Sequence, residues 1–301
     1  MIDQLQIGNL RWIHIPIASE SNMDFLRTHF DFHPLDIEDC ESKVQRPKID
    51  IYDDYRFLIL HFPYFDKALK FIKTKEVKIF WGPDYVITLG THWVIRTLFA
   101  KTKEEADLDV DELPNTSDVL LYSIMDSLIN ESLKLLNMIE DSLDHISRDM
   151  FEKKAEGTIE RISITRKNLV LLNTAFKPQL RLFQKFESGV IRGFTEGLED
   201  YWGNILDSYQ KVYDSIEDYQ ELIQGLALTF DSLQANKTNE IMKVLTVFSS
   251  VLLPLTFLTG YFGMNVHLPY QNNPLSTYIL TAGMILLIFG LLYYFKRRKW
   301  I

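Results

Sequence analysis

The sequence predicts an α+β membrane protein: an N-terminal α/β domain, a long helical stalk, and two transmembrane helices near the C-terminal end. Three observations predict it. From Val244 to Phe295 the chain carries no Asp, Glu, Lys or Arg, which a globular protein rarely tolerates. From Leu198 to Leu233 apolar residues recur at alternating spacings of four and three, the pattern of helices packed with a left-handed twist. Over residues 1–115, β-rich runs alternate with turn formers and short helical stretches.

Composition narrows the function classes. The chain has 301 residues, 47% hydrophobic and 24% charged, enough for a packed core. A net charge of -9 argues against nucleic acid as a partner. The single cysteine, Cys40, excludes an intrachain disulfide and a cysteine metal cluster, and agrees with a reducing compartment. The N-terminal MIDQLQIGNLRWIHIPI has no basic start before an apolar run, so it is not a secretory signal, and the soluble part is expected in the cytoplasm. There is no HExxH, GxSxG or glycine-rich phosphate loop, and an enzyme is not expected. His14, His29, His33 and His61 are scattered and read as structural or exposed; so does the pair His29 and His33 near Asp31 and Asp36.

Residues 1–115 form the expected α/β domain. IDIYDDYRFLILHF reads as a hairpin turning at Asp53 and Asp54, and VKIFWGPDYVITLG as a second turning at Gly82-Pro83-Asp84. Glu20–Phe30 and Pro34–Glu41 read as short helices. KEEADLDVDELPNTSD reads as an acidic linker or a solvated surface run.

Residues 116–193 read as a helical hairpin. Leu121, Ile124, Leu128, Leu135, Ile139, Leu143, Ile146 and Met150 repeat at helical spacing, and Gly157 marks a break. A second helix is expected from Thr158 to Phe186, kinked at Pro178, with a turn near Gly189 and Gly193. The stalk helix, 194–243, is expected to run on without a breaker into the first transmembrane helix. From Phe194 to Phe262 it would measure roughly 100 Å at 1.5 Å per residue.

The transmembrane helices are expected at 244–262 and 277–295, each close to the ~20 residues that cross a bilayer core. The intervening loop, 263–276, is polar, and residues 296–301 form a basic tail. Lys237 and Lys243 precede the first span, Lys296, Arg297, Arg298 and Lys299 follow the second, and the loop holds no basic residue save His267. The positive-inside rule therefore puts both termini in the cytoplasm and the loop outside, as for a multi-pass protein of the plasma (inner) membrane.

On the first span, Asn239, Met242, Thr246, Ser249, Leu253, Thr256 and Gly260 fall within an arc of about 100° at 100° per residue. Small and hydroxyl residues of this kind also pack helix against helix in lipid. Two helices cannot enclose water, so a conducting role would require several copies to place this stripe around one axis.

Residues Thr238–Asn265, TNEIMKVLTVFSSVLLPLTFLTGYFGMN, resemble the stalk end and first span of the CorA magnesium-transporter family, whose signature is the triplet Gly263-Met264-Asn265. The C-terminal KRRKW, HPLDIEDCESKVQRPKIDIYDDYRF and RKNLVLLNTAFKP are similar to other parts of that family, so the resemblance covers nearly the whole chain. It implies a homopentamer in which five first spans line a pore for Mg2+, with Co2+ or Ni2+ as further ions, driven by membrane potential. The pore positions would be Asn239, Met242, Leu245, Thr246, Ser249, Leu253, Thr256, Gly260, Gly263, Met264 and Asn265. Asn265 would hydrogen-bond the ion's water, and Met242, Leu245 and Leu253 would form apolar constrictions.

The resemblance also implies gating by intracellular Mg2+ held between neighbouring subunits. Asp200, Asn204 and Asp207 would carry that site, with Asp66 as the neighbour's carboxylate. Two departures stand out: the usual sensing Asp falls on Asn204, and the outer loop VHLPYQNNP lacks an acidic residue. His267 in that loop could favour a softer ion. The alternatives are a zinc or nickel transporter of the same architecture and a non-conducting, membrane-anchored cytoplasmic sensor.

Overall fold

The computed structural model describes residues 2–42, 44–108, 113–151, 155–265 and 274–300. The chain divides into two compact units, Met1–Leu226 and Ala227–Ile301.

In the first unit the strands are β1 (Asp3–Ile7), β2 (Leu10–Ile15), β3 (Lys48–Ile51), β4 (Arg56–Asp66), β5 (Phe71–Trp81) and β6 (Tyr85–Leu89). They form one sheet in the order β1-β2-β6-β5-β4-β3. All neighbours are antiparallel except β2 and β6, which run parallel. Both expected hairpins are present, as β3–β4 and β5–β6.

Helices α1 (Glu20–His29) and α2 (Pro34–Glu41) cover one face. Their Met23, Leu26, Ile37 and Cys40 share a core with Ile13, Phe57, Ile59, Phe80 and Ile87. The alternate strand residues Leu58, Leu60, Ile79 and Trp81 are also buried. Trp81 meets Phe186 at 6.0 Å and Trp202 at 5.7 Å, ring centroid to centroid, so helices cover the second face. A strand covered on both faces has no polar side, which is why β4 reads as a continuous apolar FLIL.

Two side-chain amides dock α5 (Ala155–Glu187) on the protruding part of the β4–β5 hairpin. Gln179 accepts from the His61 N–H at 2.8 Å and donates to the His61 carbonyl at 2.9 Å, as a neighbouring strand would. Asn168 accepts from the Ile72 N–H at 2.9 Å. α5 runs through Pro178 as one helix. In α4 (Ser117–Phe151) the expected apolar series Leu121 to Ile146 is buried.

Three elements depart from expectation. β1 and β2 form a hairpin at the N-terminus, in a stretch read only as lacking a signal. A helix, α3 (Trp93–Asp107), follows β6 and takes in Lys103–Asp107, the start of the supposed acidic linker. Its Val94, Ile95 and Phe99 are buried, with Phe99 edge-on to Trp12 at 4.9 Å, while the charged residues face solvent. Residues 109–112 of that linker lie outside the described residues. The stalk helix α6 (Glu199–Phe262) begins at Glu199 rather than at Phe194. The buried Asp118 carboxylate accepts from the N–H groups of Phe194 and Thr195, which diverts them from a helix. Gly193 fits this approach because a Cβ there would stand 2.6 Å from Asp118 Oδ1.

In the second unit, α6 continues to Phe262 and α7 spans Pro274–Arg297. Both are long and apolar enough to cross a membrane, and their most apolar windows are 0% buried within the chain. On α7, Ser276, Leu280, Met284, Ile288, Leu291 and Phe295 are the positions withdrawn from solvent among the described residues, a single seam at helical spacing.

Candidate functional site

The α6 stripe occupies one uninterrupted helix. Val247, Ser250, Val251, Pro254, Leu255 and Leu258 are half-buried and share one side of it. The stripe lies on another side: Asn239, Met242, Thr246, Leu253, Thr256 and Gly260 are exposed, and only Ser249 is half-buried. Leu245, the remaining candidate constriction, is exposed as well.

The hydroxyls on and beside this face have a common polarity. Thr246 donates to the Met242 carbonyl at 2.7 Å, Thr256 to the Leu252 carbonyl at 2.9 Å, and Thr259 to the Leu255 carbonyl at 2.9 Å. A hydroxyl whose proton is committed to the backbone offers its lone pairs outward. Such a surface accepts hydrogen bonds from the water shell of a cation and offers little to an anion.

At the far end of the helix stand Gly263, Met264 and Asn265, all exposed. The Gly263 N–H bonds the Thr259 carbonyl at 2.9 Å, and a Cβ at Gly263 would meet that same oxygen at 2.9 Å. Glycine therefore lets the chain leave the helix tightly. The last helical carbonyls carry partial negative charge at this end of α6. His267 lies outside the described residues.

At the other end, Asn236, Asn239, Glu240, Met242, Lys243, Thr246 and Trp300 line an open cleft of about 490 Å3. Trp300 reaches it because the C-terminal end folds back: Lys299 adopts φ 55°, the Trp300 N–H bonds the Phe295 carbonyl at 3.0 Å, and the Trp300 ring stacks on Phe295 at 5.6 Å. This is a helix C-cap of the Schellman type.

The supposed regulatory residues lie on two elements, α6 and β4. Asp200, Asn204 and Asp207 are exposed on α6. Asn204 donates to the Tyr122 hydroxyl at 2.7 Å. Asp66 closes the β4–β5 turn: its Oδ1 accepts from the N–H groups of Ala68 and Leu69, and its Oδ2 pairs with Lys73 at 2.9 Å. The Lys73 hydrogen bond, helped by the Leu69 N–H, holds the Asp66 carboxyl below the ordinary carboxylate range.

Among the described residues one acidic group draws together that the sequence did not suggest: Asp36, Asp39 and Asp50, with ligand atoms within 4.8 Å of one another. Lys48 already serves it, pairing with Asp39 at 2.7 Å and with Asp50. Asp36 is buried beneath Tyr55 and Tyr52, which donate to it at 2.7 and 3.3 Å. Burial raises its pKa against the pull of those hydroxyls. The cluster is a structural ion pair that joins α2 to β3.

A profile of the family described as CorA-like Mg2+ transporter protein matches residues 8–297. The cobalt/magnesium transport protein CorA of Thermotoga maritima is 27% identical over 274 residues, covering 90% of this chain and 78% of its own. YfjQ of Bacillus subtilis, provisionally assigned as a metal ion transporter, is 30% identical over 292 residues, 96% of this chain and 89% of its own. The complete structure of the CorA magnesium transporter from Methanocaldococcus jannaschii superposes with a TM-score of 0.84 at 20% identity, covering 99% of this chain and 94% of that one. The match of the profile along nearly the whole sequence means that this chain belongs to the CorA-like Mg2+ transporter family.

Proposed function

We propose that this protein conducts divalent cations, Mg2+ foremost, through a pore built from five copies of α6. The observation that carries the reading is the outward-facing acceptor stripe of α6 ending in Gly263-Met264-Asn265. In an anchor such residues pack helix against helix, whereas here the half-buried seam of α6 lies on another side and leaves the stripe exposed.

The chemistry suits a hydrated ion. Mg2+ holds its water tightly and sheds it reluctantly. A ring of Asn265 amide oxygens binds the hydration shell without the grip of a carboxylate ring, so the ion can leave again. Ser249, Thr246 and Thr256 continue the polar path, Asn239 forms a second amide ring at the inner mouth, and Met242, Leu245 and Leu253 supply apolar rings that close by dewetting. With both termini in the cytoplasm of a plasma-membrane protein, an inside-negative potential of 100 mV drives a divalent ion inward with about 4.6 kcal/mol. No step consumes a nucleotide, and the reading needs no enzymatic chemistry. Intracellular Mg2+ would close the pore from the exposed α6 face that carries Asp200, Asn204 and Asp207. Asp66 is the weaker member of that set, because its turn and Lys73 already occupy it.

The test is divalent-ion entry into sealed proteoliposomes under an inside-negative potential. A trapped indicator reports Mg2+, with Co2+, Ni2+ and Zn2+ run in parallel. Wild type should admit Mg2+, and Asn265→Ala should lose that entry. A preference for Zn2+ would move the reading to a zinc transporter. No flux of any divalent ion, from protein shown to be folded and oligomeric, would leave a membrane-anchored sensor.

A further inference from the structure

The inner end of α7 concentrates positive charge. After Glu240 the sequence contains no Asp or Glu, yet it carries Lys243, Lys296, Arg297, Arg298 and Lys299. Among the described residues none of these five has an ion-pair partner. The four at the chain end are also exposed. The fold holds them in place. The C-cap through Lys299 and the stacking of Trp300 on Phe295 hold the basic turn against α7.

Two aromatic rings stand beside the charge. Phe295 closes the buried seam of α7, so Tyr293 and Arg297, two positions to either side of it, face away from that seam. Tyr293 is 69% exposed and Tyr294 52%. The Arg298 guanidinium lies over the Tyr294 ring, 5.8 Å from its centroid. Above them the outward side of α7 is apolar, with Leu286 and Phe289 exposed. An apolar helix face, then tyrosines, then guanidinium groups reproduces the order of layers in a bilayer leaflet: acyl chain, glycerol region, phosphate.

We propose that Arg297 and Arg298, with Tyr293 and Tyr294, form a binding site for the headgroup of an anionic phospholipid in the cytoplasmic leaflet. The planar guanidinium groups bind the phosphodiester oxygens in pairs, and the tyrosine rings lie at the glycerol level. A basic last turn also complements the helix dipole of α7, which would stabilise the helix in any lipid. The two roles differ in lipid selectivity. The inference rests on the reading of α7 as a transmembrane helix and not on ion conduction.

The full-length protein, purified in detergent, is examined by native mass spectrometry with added phosphatidylglycerol, phosphatidylcholine or inorganic phosphate. Wild type should retain phosphatidylglycerol in preference to phosphatidylcholine. The double variant Arg297→Gln/Arg298→Gln should weaken that retention roughly 25-fold, from about one interfacial charge contact per arginine. Arg297→Lys/Arg298→Lys keeps the charge but not the paired bonds, and should retain phosphatidylglycerol at a level between wild type and the Gln variant, which separates lost binding from lost folding. Equal retention of both lipids by wild type would overturn the proposal. So would undiminished retention by the Gln variant, or displacement of the lipid by inorganic phosphate, which would indicate a general anion site. A failure of membrane insertion would show separately, as protein recovered without detergent, and would sink the transmembrane reading itself.

Discussion

Two stretches of α6 carry the same kind of apolar pattern and meet different surroundings. In the first unit, Trp202, Ile205, Tyr209, Val212 and Ile216 are all withdrawn from solvent, and Tyr209 lies between Phe176 at 4.7 Å and Phe183 at 4.2 Å. In the second unit, Ile241, Val244, Phe248 and Phe257 are each at least 60% exposed. Periodicity therefore announces that a helix face will be covered, and not by what. The first stretch is covered by the chain's own helices. Among the described residues the second meets its own chain along one seam, and our account gives the remainder to lipid and to further copies of α6.

The largest effect that tests this contrast is on stability. Tyr209→Ala should cost the first unit about 3–5 kcal/mol, through lost ring packing and the lost hydroxyl bond to the Phe176 carbonyl. Phe248→Ala should leave the same unfolding transition within about 0.5 kcal/mol, since that side chain belongs to the second unit and is 65% exposed. Calorimetry of both full-length variants in detergent decides it, and equal losses would erase the contrast.

A smaller effect follows from pH. Burial holds the imidazoles of His14 and His92 below the ordinary histidine range, so both are neutral in the fold. Asp3 and Arg96 act on His14, and Lys75 on His92. The unfolded chain takes up protons near the ordinary pKa of about 6.5 and the folded one only at lower pH. The stability these residues contribute is complete above that value and declines as pH falls through it. Amide hydrogen exchange of α3, which packs on Trp12 and starts directly after His92, should quicken on acidification, and less so in His14→Gln. The spans 244–262 and 277–295 hold no histidine and no carboxylate, and should not respond in this range. A flat profile for α3 would contradict the assignment.

Much of this was legible in the residues. Turn formers at Asp53-Asp54 and Gly82-Pro83-Asp84 located both hairpins, and the spacing of Leu121 to Ile146 located α4. The stripe and its terminal triplet were visible because a helix converts spacing directly into a face. What escaped was set by contacts distant in sequence. The parallel pairing of β2 with β6 joins residues over seventy positions apart, and nothing local marks it. α3 was hidden by its charged C-terminal turns, which resemble a linker until Phe99 is seen against Trp12. Asp118 fixed the start of α6 from another helix altogether. Asp66 looked like a free carboxylate, yet its own turn uses it. The Asp36, Asp39 and Asp50 cluster forms only once β3 lies beside α2.

The central claim is that the outward stripe of α6 lines a water-filled path. Leu253 and Phe248 are similarly exposed in the chain, at 68% and 65%, and stand about 140° apart around the helix. The native Cys40 does not interfere, because it is buried and its thiol is pushed up to about 12. A membrane-impermeant thiol reagent, applied during Mg2+ influx, should block Leu253→Cys and spare Phe248→Cys. Block of Phe248→Cys with Leu253→Cys untouched would put the water on the other side of the helix and contradict the account.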